Sequence, residues 1–249
     1  MGALHNGHLS LIAQAKQGNN IVVCSIFVNP TQFNDPKDLE NYPRPIEADI
    51  AKLEQAGCDV LFNPAVTEMY DANEQWHLNI GSLEHLLEGE FRPGHYQGVT
   101  QVVYKLLDIV KPDTLYMGQK DYQQIMVVNR MIELMDMPVK MVMCPIEREA
   151  DGLAMSSRNI HLSPADRQHA LVLSKTLNWV KSNFDIENIP QLQQQAMEML
   201  KAENDVQPEY FEIVDGETLL PAGKDSTTIV ALTAARVGKT RLIDNVLIK

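Results

Sequence analysis

Short apolar, β-branched runs alternate with amphipathic stretches along residues 1–146, the pattern of parallel strands joined by crossover helices. Asn20–Val28, Asp59–Asn63, Thr114–Gly118 and Val139–Ile146 are nearly continuous apolar runs, as strands covered on both faces require. Between them, Ile46, Ile50 and Leu53 recur at helical spacing, with Pro45 suited to the first turn and Gly57 to the end. A further helix is expected after Asp121. Beyond Ser157 the pattern changes to two helices followed by strands. The first helix starts at Ser163-Pro164, with Asp166 completing a capping box, and runs to about Phe184; the second starts at Pro190. Glu209–Val214, Thr227–Thr233 and Arg241–Ile248 then read as strands separated by Gly-, Pro- and Asp-rich turns. The expectation is an α/β, Rossmann-like parallel-sheet domain over residues 1–146 and a smaller α+β domain over 147–249.

With 249 residues, 45% of them hydrophobic, the chain can fill one large core or two modest ones, which excludes a disordered or fibrous protein. The net charge of −12 excludes a broad nucleic-acid or anionic-membrane surface, so a polyanionic ligand needs a local basic pocket. No apolar run approaches the ~18 residues of a membrane span, and MGALHNGH lacks the order of a secretion signal, so a cytoplasmic protein is expected. Cys24, Cys58 and Cys144 are scattered through apolar stretches without a Cys-x-x-Cys pair and read as reduced core residues.

Several polar segments can carry chemistry. His5 and His8 flank Gly7, so at a helix start both imidazoles lie on one face with the positive helix end behind them, an arrangement suited to phosphate. Two capping histidines are the plain alternative, and no third ligand stands at a zinc spacing. Gln32 follows an apolar strand end in FVNPTQF, where ligands of open parallel sheets lie, although a turn contact explains it equally well. Arg44, Arg92, His95 and Asp49 are expected on loops rather than on helix faces; Asp49 could hold magnesium, and the bland reading of each is a solvated charge. Lys120 sits at a helix start, where it opposes the dipole, with Asp121 and Gln124 sharing the helical face that follows. Asp121 is either a ribose ligand or an N-cap. Met155-Ser156-Ser157-Arg158 forms a polar loop at the domain junction, of the kind that closes over a nucleotide or simply turns the chain.

In order, MGALHNGH, FVNPTQF, YPR, RPGHYQGV, GQKDYQQ, READGLAMSSRN and LIDN resemble the pantothenate synthetase (pantoate–β-alanine ligase) family of the nucleotidylyltransferase-like group. The resemblance implies condensation of (R)-pantoate with β-alanine through a pantoyl adenylate, with ATP as co-substrate, magnesium assisting, and AMP and pyrophosphate released. It implies that His5, His8, Lys120, Ser156, Ser157 and Arg158 surround the phosphates, with His8 as proton donor and His5 and Lys120 also catalytic. Met1, Gly2 and Gly7 belong to the same nucleotide loop. Gly118 and Asp121 would bind ribose, the backbone near Glu147 and Met155 adenine, and Gln32 and Gln124 pantoate; Arg92, as substrate ligand, and Asp49, as metal ligand, are weaker carry-overs. The second domain would act as a lid and the enzyme as a homodimer. The family pattern carries an apolar strand ahead of Met-Gly-x-Leu-His, so the sheet is expected to lack its first strand. A nucleotidyl transferase acting on another acceptor, or a catalytically silent nucleotide-binding protein, are the alternative readings.

Overall fold

Residues 1–249 are described by a computed structural model, in which the β-branched runs of the first half form four short parallel strands. In chain order the elements are α1 (Asn6–Gly18), β1 (Val23–Ser25), α2 (Pro36–Asn41), α3 (Ile46–Gln55), β2 (Val60–Phe62), α4 (Val66–Met69), α5 (Glu88–Phe91), α6 (His95–Val110), β3 (Thr114–Gly118), α7 (Tyr122–Leu134) and β4 (Lys140–Cys144). There follow α8 (Pro164–Ser182), α9 (Ile189–Ala202), β5 (Val206–Asp215), β6 (Ile229–Val237) and β7 (Thr240–Leu247). Two compact units divide them: Met1–Gln119 with Gln123–Pro145, and Lys120–Tyr122 with Ile146–Lys249. No helix is long and apolar enough to cross a membrane.

In the first unit β1 pairs with β2 in register Val23 to Val60, and β3 with β4 in register Thr114 to Lys140, both parallel. The expected sheet is therefore two separate two-stranded pairs. A cavity of about 730 Å³ lies along the other edge of β1 and β3, lined by Val23 and Ser25, by Leu115 and Met117, and by apolar residues of α1 and α6. Met1 adds one step to the β1 ladder: its ammonium donates to Ser25 O at 2.9 Å and its carbonyl accepts the Phe27 N–H at 3.2 Å. With only one paired neighbour, β1 is much shorter than the apolar run Asn20–Val28 suggests.

The apolar stripe of α1 buries Ile12 and Ala15 in a cluster with Leu4, Val22, Cys24, Ile26 and Leu53. Asn19 ties the end of α1 to β3 by donating to Tyr116 Oη at 2.9 Å. On α6, Tyr96, Val99 and Leu107 pack with Val127, Val128 and Met131 of α7. Each fully buried aliphatic side chain contributes about 1.5–3 kcal/mol, so these clusters fix the helices against the strand pairs. The three cysteines are free, and burial pushes the Cys24 thiol up to about 11.

In the second unit β5, β6 and β7 form an antiparallel sheet on which α8 and α9 pack. The expected capping box is present: Ser163 Oγ accepts the Asp166 N–H at 3.1 Å and Asp166 Oδ2 accepts the Ser163 N–H at 3.3 Å. β5 is longer than Glu209–Val214 because a register shift between Pro208 and Tyr210 lets the strand continue past a residue that cannot donate. β6 extends to Val237 because Gly238, at φ +54°, opens a two-residue hairpin loop pairing Val237 with Thr240.

Candidate active site

The candidate side chains of the first unit stand at the start of α1, in the turn that follows β1 and at the start of α7. His5 caps α1, whose own first turn carries no acidic residue. The two imidazoles lie 3.9 Å apart, centroid to centroid. His8 Nδ1 accepts the His5 N–H at 3.3 Å. That bond requires an unprotonated Nδ1 and so leaves Nε2–H as the donor of the neutral ring. The helix start thus offers anion-directed donors from its backbone and one imidazole of assigned tautomer. Gly7 lies within this first turn, and its carbonyl accepts the Ser10 hydroxyl at 3.0 Å.

The turn Pro30–Gln32 is built by Asn29, which is 2% exposed. Asn29 Oδ1 accepts from the Thr31 N–H and hydroxyl and from Tyr70 Oη at 2.7 Å. Its Nδ2 donates to Gln32 Oε1 at 3.2 Å and to Gly98 O at 3.1 Å. His95 Nδ1 lies 2.8 Å from Gln32 O and donates to it in the Nδ1–H tautomer, and Arg92 reaches the same oxygen at 3.5 Å. Arg92 also faces Glu88 at 3.9 Å. Gln32 and Gln124 line the same 730 Å³ cavity, together with Met1, Phe27 and Asn29. Two amides that both donate and accept, in the lining of a cavity of mixed polar and apolar character, suit a small hydroxylated carboxylate. Gly118 ends β3, and a Cβ built on it would meet nothing within 4 Å, so the strand end is open above the backbone.

Asp49 has other partners than a metal ion. It is 1% exposed, Oδ2 accepts the Ala3 N–H at 2.8 Å and Oδ1 the Leu4 N–H at 2.7 Å. With both carboxylate oxygens taken by backbone N–H groups, Asp49 does not fit a magnesium ligand, and no group of three or more His, Cys, Asp or Glu side chains is arranged around a metal position.

The second unit assembles the remaining candidates on β7. Lys120 lies in the short turn Gln119–Asp121, and its carbonyl accepts from Asn245 Nδ2 at 3.0 Å. Tyr122 anchors the same segment by donating to Gly216 O at 2.9 Å. Asn245 is oriented by its neighbour Asp244, which forms a two-point ion pair with Arg148 at 2.7 and 2.9 Å. Arg148 also donates to Gly152 O at 3.1 Å, closing a small turn in which the Met155 N–H donates to Glu147 O at 3.0 Å. The structure therefore sets Glu147 and Met155 side by side. Ser156 Oγ accepts the Arg158 N–H at 3.3 Å and starts the turn Ser157–His161, which packs on β7. Asp244 and Asn245 lie in a segment that the sequence shows as strand and Arg148 in one that it shows as loop, and two opposite charges and an amide are the only sequence signal that they pair.

Residues 1–247 match the family described as pantoate-beta-alanine ligase. The pantothenate synthetase of Acetivibrio thermocellus is 42% identical over 254 residues, covering 100% of this chain and 89% of the relative. That of Thermotoga petrophila is 46% identical over 253 residues, with 100% and 89% covered. The crystal structure of pantothenate synthetase from Thermus thermophilus superposes with a TM-score of 0.94 at 42% identity, over 100% of this chain and 91% of that one. Pantoate-beta-alanine ligase from Francisella tularensis, complexed with beta-gamma ATP and beta-alanine, gives 0.82 at 37% identity, over 99% and 87%. On a match of this extent and identity, this chain belongs to the pantoate–β-alanine ligase family.

Proposed function

We propose that the protein condenses (R)-pantoate with β-alanine to pantothenate, consuming ATP and releasing AMP and pyrophosphate, in coenzyme A precursor synthesis. The observation that carries the reading is the His5–His8 pair at the start of α1, in a chain whose family match runs from residue 1 to 247.

In the first step a pantoate carboxylate oxygen attacks the α-phosphorus of ATP, the bond to pyrophosphate breaks, and a mixed anhydride forms. Negative charge grows on the phosphoryl and leaving oxygens, so fixed donors matter most there. We assign those donors to His8 Nε2–H, His5 and the α1 N-terminus, with Met1, Gly2 and Gly7 as loop backbone; likeness to the family assigns Lys120, Ser156, Ser157 and Arg158 to the phosphates as well. Gly118 and Asp121 are assigned to ribose, the backbone at Glu147 and Met155 to adenine, and Gln32 and Gln124 to pantoate. Arg92 supports the Gln32 turn. In the second step the β-alanine amine attacks the acyl carbon, loses a proton, and AMP leaves with the anhydride electron pair.

Magnesium is assigned to the nucleotide, as part of the substrate. A homodimer in the cytoplasm completes the reading. The test is pyrophosphate release by the purified protein supplied with ATP and magnesium, which must require pantoate. Release driven by another acceptor and indifferent to pantoate points to a transferase; none with any acceptor points to a silent binding protein.

A further inference from the structure

The loop that delivers His5 and His8 into α1 has no regular structure, yet its backbone is gripped from one side by α3. Ala3 adopts a left-handed conformation at φ +49°, which turns the N–H groups of Ala3 and Leu4 toward a common point. Such a pair of successive donors is an anion-binding concavity. Here the anion is internal: the Asp49 carboxylate occupies it, one oxygen per N–H, at 2.8 and 2.7 Å. One turn further along α3, Lys52 Nζ donates to Leu4 O at 2.6 Å. Both polar groups of Leu4 are thus held by α3 side chains, immediately before the residue that caps α1. Asp49 is 1% exposed and Leu4 3% exposed, so water does not compete for the bond between them.

We propose that Asp49 is a positioning residue for the phosphate-binding histidines, and that Lys52 assists it by fixing the opposite side of the same peptide. A charge-assisted two-point grip is a costly use of a buried carboxylate unless the atoms it orders need to stay still. Those atoms are the His5 N–H, which sets the His8 tautomer, and the two imidazoles. The inference rests on the ligase reading, and concerns how the loop is held rather than which bonds are made.

The experiment compares wild type with Asp49→Asn, Asp49→Glu and Lys52→Met, measuring kcat and KM for pantoate by pyrophosphate release, alongside nitrogen-15 resonances of the His8 ring. In Asp49→Asn the amide keeps one acceptor but points its NH₂ at the other loop N–H. A loop displaced by about 1 Å costs on the order of 10²-fold in rate. Expected is a kcat loss of that order with KM for pantoate within about threefold, and an averaging of the His8 Nδ1 and Nε2 signals. Lys52→Met should lose about three- to tenfold in the same sense, and Asp49→Glu should recover part of the Asn loss. The proposal is overturned if kcat in Asp49→Asn and Lys52→Met stays within twofold of wild type. It is equally overturned if kcat falls only with the fraction folded while the His8 signals of folded protein are unchanged. Wild-type turnover tests the ligase reading separately, and the histidine signals report on Asp49 even without turnover.

Discussion

Gly98 lies in the first turns of α6, where helix propensity alone favours alanine by about 0.8–1 kcal/mol. The structure predicts the opposite outcome for Gly98→Ala. A Cβ there would lie 2.3 Å from Thr31 O, 2.5 Å from Thr31 C and 2.8 Å from Gln32 N, where ordinary contact begins at 3.4 Å. All three atoms are backbone, so no side-chain rotation relieves the overlap, and the turn must retreat by roughly 1 Å. Overpacking of this kind costs about 1–3 kcal/mol, which offsets or exceeds the propensity gain. The larger effect falls on substrate use, because the displaced turn carries Gln32 and shares the Asn29 bond to Gly98 O. A misplacement near 1 Å corresponds to about 10²-fold in kcat/KM. Steady-state kinetics with pantoate varied, run beside thermal unfolding, should show that loss with a melting temperature changed by only a few degrees. A variant with wild-type kcat/KM for pantoate and a raised melting temperature would refute the packing argument.

Lys120→Ala should reduce adenylate formation far more than thermal stability, since the ammonium is most valuable while phosphate charge develops; equal losses would contradict that role. Asp244→Ala strands the Arg148 guanidinium beside a carboxylate site that is 3% exposed, and should destabilise the protein by about 3 kcal/mol, the low end for buried pairs because Arg148 is partly solvated. Chemical denaturation measures the loss, and an Asp244→Ala midpoint equal to wild type would dismiss it. Burial raises the Glu212 carboxyl above its ordinary range despite the Gln193 bond. Its ionised form therefore weakens the fold as pH rises through the folded value, and the penalty is absent below the unfolded one. Glu212→Gln should accordingly gain stability over wild type near pH 7 and lose that advantage near pH 4, as thermal scans across pH would reveal.

Periodicity and local chemistry made much of this legible. Thr114–Gly118 is a strand as its apolar run indicates, and Ser163 with Asp166 begins α8 because that pair satisfies two helix donors whatever the tertiary surroundings. α3 starts at Ile46 rather than Pro45, which occupies the cap, and Gly57 stands just beyond its end at φ +71°. What stayed hidden depends on partners distant in sequence. α6 was visible only as the loop ahead of it, because its burial comes from α7 and from the Gln32 turn. Asp49 looked like a free carboxylate because its two donors lie more than forty residues upstream. Asp244 and Asn245 looked like strand filler because their work is done on Arg148 and Lys120, 96 and 125 residues away.

The chain crosses from one unit to the other three times, after Gln119, after Tyr122 and after Pro145. Severing it at the last crossing therefore does not liberate an intact second half: a fragment starting at Ile146 leaves behind the lysine and the tyrosine that its own strands clasp. Dissection by domain would strip Asn245 and Gly216 of their bonded partners, so the nucleotide chemistry of this fold has to be studied on uncut polypeptide.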